Sequence, residues 1–177
     1  VQVKFSRAWA MPNADTFSIE PISALIGRYI GGGGFVDPFA RNSPFKRWCI
    51  ATNDLNSDVD TTHHMEALEF LRAFDDQSVN GVLFDPPYSP RQISECYKAA
   101  GMNVHMEDTQ SSFYGDRKRE AARIVKPGGI AICAGWNSGG LGEVNGFHLI
   151  EVLLVAHGGA HNDTIVTVER KAIDLFT

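Results

Sequence analysis

The stretch Val82-Leu83-Phe84-Asp85-Pro86-Pro87-Tyr88 limits the fold more than any other part of the chain. An apolar run ends abruptly on an acid, two prolines and a tyrosine. Neither proline has a backbone N–H, so strand pairing and helix interior are both excluded after Asp85. The residue before each proline is pushed to an extended conformation, so the chain must leave a buried strand along a fixed path. Asp85 and Tyr88 are carried out at the carboxyl end of that strand, where open α/β sheets bind their ligands.

The flanking sequence predicts the rest of such a sheet. Helical spacing of Ile22, Leu25, Ile26 and Tyr29, with Pro21 in the first turn, predicts a helix within 17–30. Gly31 to Gly34 then releases a short strand, Phe35-Val36, that stops at Asp37-Pro38. A second strand is predicted over Trp48 to Thr52, ending near Asp54. A short edge strand is expected around Thr61 to Met65, then a helix from about Glu66. Residues 90–101 read as a helix closed by Gly101. Residues 102–112 are polar and irregular, which predicts a mobile loop. A further helix is predicted to stop at Pro127-Gly128-Gly129, before the apolar strand Ile130 to Trp136. Two strands around Gly158-Gly159 predict an antiparallel pair. Strands alternating with helices and then a terminal antiparallel pair indicate an α/β sheet covered on both faces.

The chain has 177 residues, 44% of them hydrophobic and 21% charged, which suits one domain, 1–177, with its own core. A net charge of −5 argues against a surface coated in basic residues, although it leaves room for a local basic groove. There is no apolar run long enough to cross a bilayer and no signal-peptide pattern, so no membrane partner is expected. Cys49, Cys96 and Cys133 are unclustered and read as buried thiols of a reducing cytoplasm. The pairs His63-His64 and His157/His161 lack suitably spaced companions, so no metal site is expected. Asp37, Asp54 and Asp85 all fall at predicted strand ends, and Glu66 opens a helix. Carboxylates gathered at one sheet edge suit ribose hydroxyls and exocyclic amines, and repel phosphates. No phosphate loop of the GxxxxGK[ST] kind is present.

Asp85-Pro86-Pro87-Tyr88 resembles the DPPY signature of S-adenosylmethionine-dependent amino-methyltransferases acting on adenine N6 or cytosine N4. "FVDPFA" resembles that family's first cofactor motif, usually DPFxGxG, and "ATNDLN" its second. "MEALEFL" resembles the third, "TFSIEPISALI" the amino-terminal motif that wraps the cofactor, and "VKPGGIAICAG" the fifth strand. In this order and over nearly the whole chain, the sequence is similar to small phage-associated DNA adenine-N6 methyltransferases. The resemblance implies a Rossmann-like class I methyltransferase sheet, mostly parallel with a carboxyl-terminal antiparallel hairpin. It implies S-adenosylmethionine as cofactor and a site-specific, adenine-specific DNA methyltransferase of the cytoplasm of a bacterium or phage-infected host.

By the same resemblance, Asp85 and the Pro86 carbonyl would accept hydrogen bonds from the target amine, with Pro87 fixing the turn and Tyr88 stacking on the extruded base. Asp37, with Pro38, Phe39, Ala40 and Arg41, would lie under the methionine part of the cofactor, and Thr16, Phe17 and Ser18 over it. Asp54, beside Leu55, would take the ribose hydroxyls. Glu66, beside the Ala67 backbone, would take the adenine amine.

Two departures stand out. The family's glycines are Arg41 and Ser43 here, and the segments 38–48 and 54–66 are too short for full helices. The sheet is therefore expected to be trimmed at one edge, with Arg41 supplying the charge of the shortened helix end to the cofactor's carboxylate. No separate target-recognition domain is expected, so Arg91, the loop Met102 to Ser112, and the cluster Arg117, Lys118 and Arg119 are the expected DNA contacts. A homodimer, or a partner protein supplying target recognition, is expected to complete the DNA-binding surface. Cytosine N4, an amine on RNA or protein, and a catalytically inactive binding module remain as alternatives.

Overall fold

The structure, a computed structural model, describes residues 2–101, 103 and 111–173. One seven-stranded sheet organises them: β1 (Lys4–Trp9), β2 (Phe35–Asp37), β3 (Cys49–Thr52), β4 (Val79–Phe84), β5 (Val125–Gly135), β6 (Phe147–Ala156) and β7 (Thr164–Lys171). Its order is β1-β6-β7-β5-β4-β2-β3. Strands β3, β2, β4 and β5 run parallel, while β7 is antiparallel to both β5 and β6. The helices are α1 (Glu20–Gly27), α2 (Ala67–Arg72), α3 (Pro90–Ala99) and α4 (Ser111–Ile124).

The alternation of side chains along the central strands divides the core into two layers. Leu83 of β4, with Ile130, Ile132 and Ala134 of β5, faces α1, where Ile22, Leu25 and Ile26 are buried. Val82 and Phe84, with Ala131 and Cys133, face α2 and α4 through Phe70, Leu71, Ala121 and Ile124. Burying apolar side chains on both faces explains why β4 and β5 read as continuous apolar runs. A smaller cluster of Ile93, Tyr97 and Phe113 joins α3 to α4.

Several expectations are corrected. The predicted helix 17–30 is a 3-10 turn, Thr16–Ser18, followed by the shorter α1. Pro127-Gly128-Gly129 does not separate helix from strand: β5 starts directly at Val125 and takes up the extra residues as a register shift against β4. The backbone is so close there that a Cβ on Gly129 would sit 2.7 Å from the Asn80 carbonyl oxygen. The edge strand expected at 61–65 is a single bridge between Asn53 and His63. The expected mobile loop 102–112 lies largely outside the described residues, and Ser111 and Ser112 belong to α4. Cys133 is buried as expected, whereas Cys49 is half-buried and Cys96 exposed. Strand β1 was not predicted. It pairs parallel with β6 at the sheet edge, and five of its six residues are exposed, so no buried face marks it in the sequence.

The trimmed edge is real. Between β2 and β3 there is only the 3-10 turn Lys46–Trp48, and β3 ends the sheet. This leaves the carboxyl ends of β2, β3 and β4 close together beneath short loops.

Candidate active site

Asp85 is delivered by the end of β4, the strand that lies between β2 and β5. The turn after it is fixed from three sides. The Tyr88 N–H donates to Gln92 Oε1 at 2.6 Å, the Tyr114 hydroxyl donates to the Pro87 carbonyl at 2.5 Å, and Ser89 caps α3. The Tyr88 hydroxyl donates to the Asp85 carboxylate. Burial pushes the Asp85 pKa from 3.8 to about 6, although hydrogen bonds from Tyr88 and Thr16 and the nearby Arg41 charge draw it down. The same burial, with the Asp85 charge beside it, pushes the Tyr88 hydroxyl well above its ordinary range.

Asp37 ends β2 and is 1% exposed. One of its oxygens accepts from the Phe39 N–H at 3.0 Å, and the other, Oδ2, is buried without a partner. Burial raises its pKa well above the usual carboxylate range, the Phe39 N–H offsets part of that, and the charges of Asp85 and Asp54 add to it. An orphaned buried carboxylate oxygen is costly, and at a sheet edge it marks a place where a ligand's donor would be welcome.

Asp54 stands at the start of the loop after β3. Its carboxylate accepts from the Arg41 N–H at 3.1 Å and the Asn56 N–H at 2.8 Å. Arg41 has φ of +38°, the left-handed region. It occupies a position where the resembled motif carries glycine, which enters that region without steric cost. Its side chain pairs with Asp15 at 3.4 Å, across a narrow cleft lined also by Thr16, Phe17, Phe39, Ala40, Ser43 and Asp85. Arg41→Gly is therefore expected to raise stability by about 1 kcal/mol in urea unfolding. Arg41→Ala, still strained, should not. A drop in stability for Arg41→Gly would mean that the Asp15 pair outweighs the strain.

Glu66 caps α2, accepting from the Leu68 N–H at 2.7 Å. It also accepts from the Tyr97 hydroxyl at 2.9 Å and pairs with Arg117. A carboxylate offers about four acceptor positions. With three occupied, one is left for a ligand amine. Arg117 is 5% exposed, donates to the Phe113 carbonyl at 2.8 Å and lies over the Phe113 ring. The expectation that it contacts DNA is corrected: its position on α4 points it inward, onto the acid of another helix. Arg91 and Arg119 are exposed and pair with Glu95 and Asp116 on their own helices.

Asn53, which the sequence reading passed over, ties the three motif loops together. Its amide nitrogen donates to the Pro38 carbonyl at 3.1 Å and the Met65 carbonyl at 3.0 Å, and its Oδ1 accepts from the Met65 N–H at 3.0 Å. Its backbone N–H donates to the Asp37 carbonyl at 2.8 Å, and its carbonyl accepts from Ala40 at 2.8 Å. Its position directly before Asp54 was the one signal available. Also passed over were Tyr114, Trp136 and Asn137, which line a cavity of about 300 Å³ together with Pro86, Tyr88 and Lys118. The cleft and the cavity flank the motif. Asp85 borders the first, and Pro86 and Tyr88 border the second.

No protein-family model matches the chain, and no curated protein sequence does either. Solved structures do match. A Burkholderia thailandensis 1,6-didemethyltoxoflavin-N1-methyltransferase, solved with 1,6-didemethyltoxoflavin and S-adenosylhomocysteine, has a TM-score of 0.56 at 13% identity over 86% of this chain and 77% of its own. TrmN from Thermus thermophilus has a TM-score of 0.55 at 17% identity over 86% of this chain, which spans 49% of TrmN. The N-methyltransferase NodS from Bradyrhizobium japonicum has a TM-score of 0.55 at 9% identity over 87% of this chain and 96% of its own. Likeness at these identities reports backbone architecture, and on that ground the chain has the Rossmann-like α/β fold of class I methyltransferases, closed by the antiparallel pair β6-β7.

Proposed function

We propose that this chain transfers a methyl group from S-adenosylmethionine to the exocyclic N6 amine of adenine in DNA. The observation that carries the reading is the Asp85-Pro86-Pro87-Tyr88 turn. It fixes a carboxylate between two recesses, one bordered by Asp15, Arg41 and Asp85 itself and one by aromatic rings. The first recess suits the cofactor. Asp15, Thr16 and Arg41 line it with Asp85, while outside its lining Asp37 brings a buried oxygen in need of a donor and Glu66 keeps one free acceptor position. Asp37 with Pro38 to Arg41, Thr16 to Ser18, Asp54 with Leu55, and Glu66 with Ala67 would hold it. The cofactor supplies an electrophilic methyl group.

The chain's own residues supply the rest. An exocyclic amine is a weak nucleophile because its lone pair is delocalised into the ring. Hydrogen bonds from its two N–H groups to the Asp85 carboxylate and the Pro86 carbonyl favour the pyramidal geometry that frees it. They also stabilise the positive charge that would develop as the nitrogen bonds to the methyl carbon and the carbon–sulfur bond breaks, with S-adenosylhomocysteine leaving and the surplus amine proton passing to solvent. Pro86 and Pro87 keep these acceptors from moving, and the Tyr88 ring holds the base. The Tyr88 hydroxyl occupies Asp85 in this structure, so the incoming amine must displace it. A homodimer, or a partner protein supplying target recognition, belongs to the same reading, since the chain is net −5 and Arg91, Arg117 and Arg119 are each paired with an acid.

Labelled-methyl transfer to DNA followed by nucleoside analysis tests the proposal. Label in N6-methyladenosine supports it, label in N4-methylcytosine moves it to the other base, and label in neither base rejects it. Tyr88→Phe adds a sharper check. Stacking needs the ring alone, so transfer at high pH should stay within about twofold of wild type, much less than the ~1–3 kcal/mol of a lost stack. The lost hydroxyl no longer favours ionised Asp85, so the acid limb of the pH–rate profile should move upward from about 6. An unmoved limb would mean that Asp85 ionisation does not govern transfer.

A further inference from the structure

The cavity beside Pro86 is bounded by four aromatic residues: Phe84 from the end of β4, Tyr88 from the motif turn, Tyr114 from α4 and Trp136 from the residue after β5. The polar ends of both tyrosines are spent within the turn, Tyr88 on Asp85 and Tyr114 on the Pro87 carbonyl. Their rings are left as walls. Trp136 meets the Tyr88 ring edge-on, with centroids 5.7 Å apart at 63°. It is 42% exposed, and its indole N–H has no hydrogen-bond partner among the described residues. Lys118 follows Tyr114 by one helical turn, so both reach the same cavity. Of the four basic residues Arg91, Arg117, Lys118 and Arg119, three are paired with acids. Lys118 forms no ion pair with any described residue. At about 300 Å³ the cavity is at the small end of ligand sites, enough for one base and too little for a stacked pair.

We propose that this cavity receives one unpaired or extruded base of a polynucleotide, held against Trp136, with Lys118 as the cation for a flanking phosphate. The inference rests on the polynucleotide reading above and names the residues that would grip the substrate. Trp136 offers a second aromatic surface beside Tyr88, so the base would be confined from two directions while its amine faces Asp85. Lys118 supplies a positive charge at the cavity that also draws the buried Glu169 carboxyl down without forming an ion pair with it, and such a charge suits an anionic backbone better than a neutral small molecule.

The test is binding of two fluorescent oligomers of equal length to the full chain, one of deoxyadenosine and one of abasic sites. Trp136→Ala should weaken the deoxyadenosine oligomer about five- to hundredfold and leave the abasic oligomer within about twofold. Trp136→Phe, which keeps a ring, should recover most of the loss. Lys118→Ala should weaken both oligomers alike and flatten the slope of log affinity against log salt by about 0.7, with Lys118→Arg restoring it. Equal losses on both oligomers for Trp136→Ala, or no loss on either, overturn the stacking role. An unchanged salt slope overturns the phosphate role. If the wild-type chain binds neither oligomer, the inference fails. Methyl transfer to DNA then separates the two readings: transfer that is unaffected by Trp136→Ala keeps the proposed function without this cavity, and no transfer ends both.

Discussion

Asp85→Ala is expected to abolish methyl transfer while S-adenosylmethionine still binds. The carboxylate is the one charged acceptor at the rigid end of β4; it borders the cleft, and the cavity beside it has no acid in its lining. Loss of a preorganised acceptor of this kind removes on the order of 10²–10³ in rate even when other donors and acceptors survive. Here the remaining acceptor, the Pro86 carbonyl, carries no charge. Single-turnover transfer measured beside cofactor binding checks both halves. Full transfer by Asp85→Ala would reduce the motif to a strand-exit turn.

The same substitution carries a stability signature of opposite direction. The Asp85 pKa of about 6 in the fold lies above the ordinary 3.8, so the folded chain holds this proton more tightly than the unfolded chain does. That contribution to stability is fully present below about pH 4 and is lost as pH rises through 6. Wild type should therefore lose stability relative to Asp85→Ala across this window. Two pKa units correspond to about 3 kcal/mol, and water entering the open cleft brings the expectation to about 1–3 kcal/mol. Urea unfolding of both chains from pH 4 to 8 measures it. Parallel curves would show that Asp85 is not held out of water. A carboxylate kept at a cost to the fold is what an acceptor for catalysis requires, since an uncharged or fully hydrated group would attract the amine less.

Arg117→Ala is expected to have the largest effect on stability, about 2–4 kcal/mol, with little effect on oligonucleotide binding by the folded protein. The guanidinium is buried, pairs with Glu66 and covers the Phe113 ring. Removing it strands Glu66, the cap of α2, beside a void between α2, α3 and α4. For a domain of this size the melting temperature should fall by roughly 4–16 °C. Arg119→Ala, on the exposed side of the same helix, should stay within about 0.5 kcal/mol of wild type. If Arg117→Ala melts with wild type and instead flattens the salt dependence of oligonucleotide binding, then Arg117 works at a surface and the buried network is wrong.

Arg117, Lys118 and Arg119 show where sequence reading stops. Side by side in the sequence they look like one basic patch. On a helix they point in three directions about 100° apart, following its 3.6-residue turn. One is buried against Glu66, one reaches the cavity and one pairs along the surface. Which is which depends on how α4 is rotated against the sheet, and that is set by the packing of Ala121, Ala122 and Ile124.

The motif acids were legible for the opposite reason. An apolar run ended by Asp-Pro, or by Asp-Pro-Pro, states locally that a strand stops there and that its last carboxylate emerges. The placements of Asp37 and Asp85 at the ends of β2 and β4 follow from sequence, as do the antiparallel pair β6-β7 and the shortened edge at β3. Strand β1 stayed hidden because its pairing with β6 is made by backbone groups at an edge, with almost no side chain buried to leave a pattern. The sequence by itself determined which residues leave the strands as acids, because proline and hydrophobic burial act on neighbouring residues. Only the tertiary structure decided which of those acids keep a vacant acceptor, and which rings and cations meet them. The surroundings of Asp37 Oδ2, Trp136 and Lys118 are built by residues far along the chain, and distance in space is not written in the local pattern.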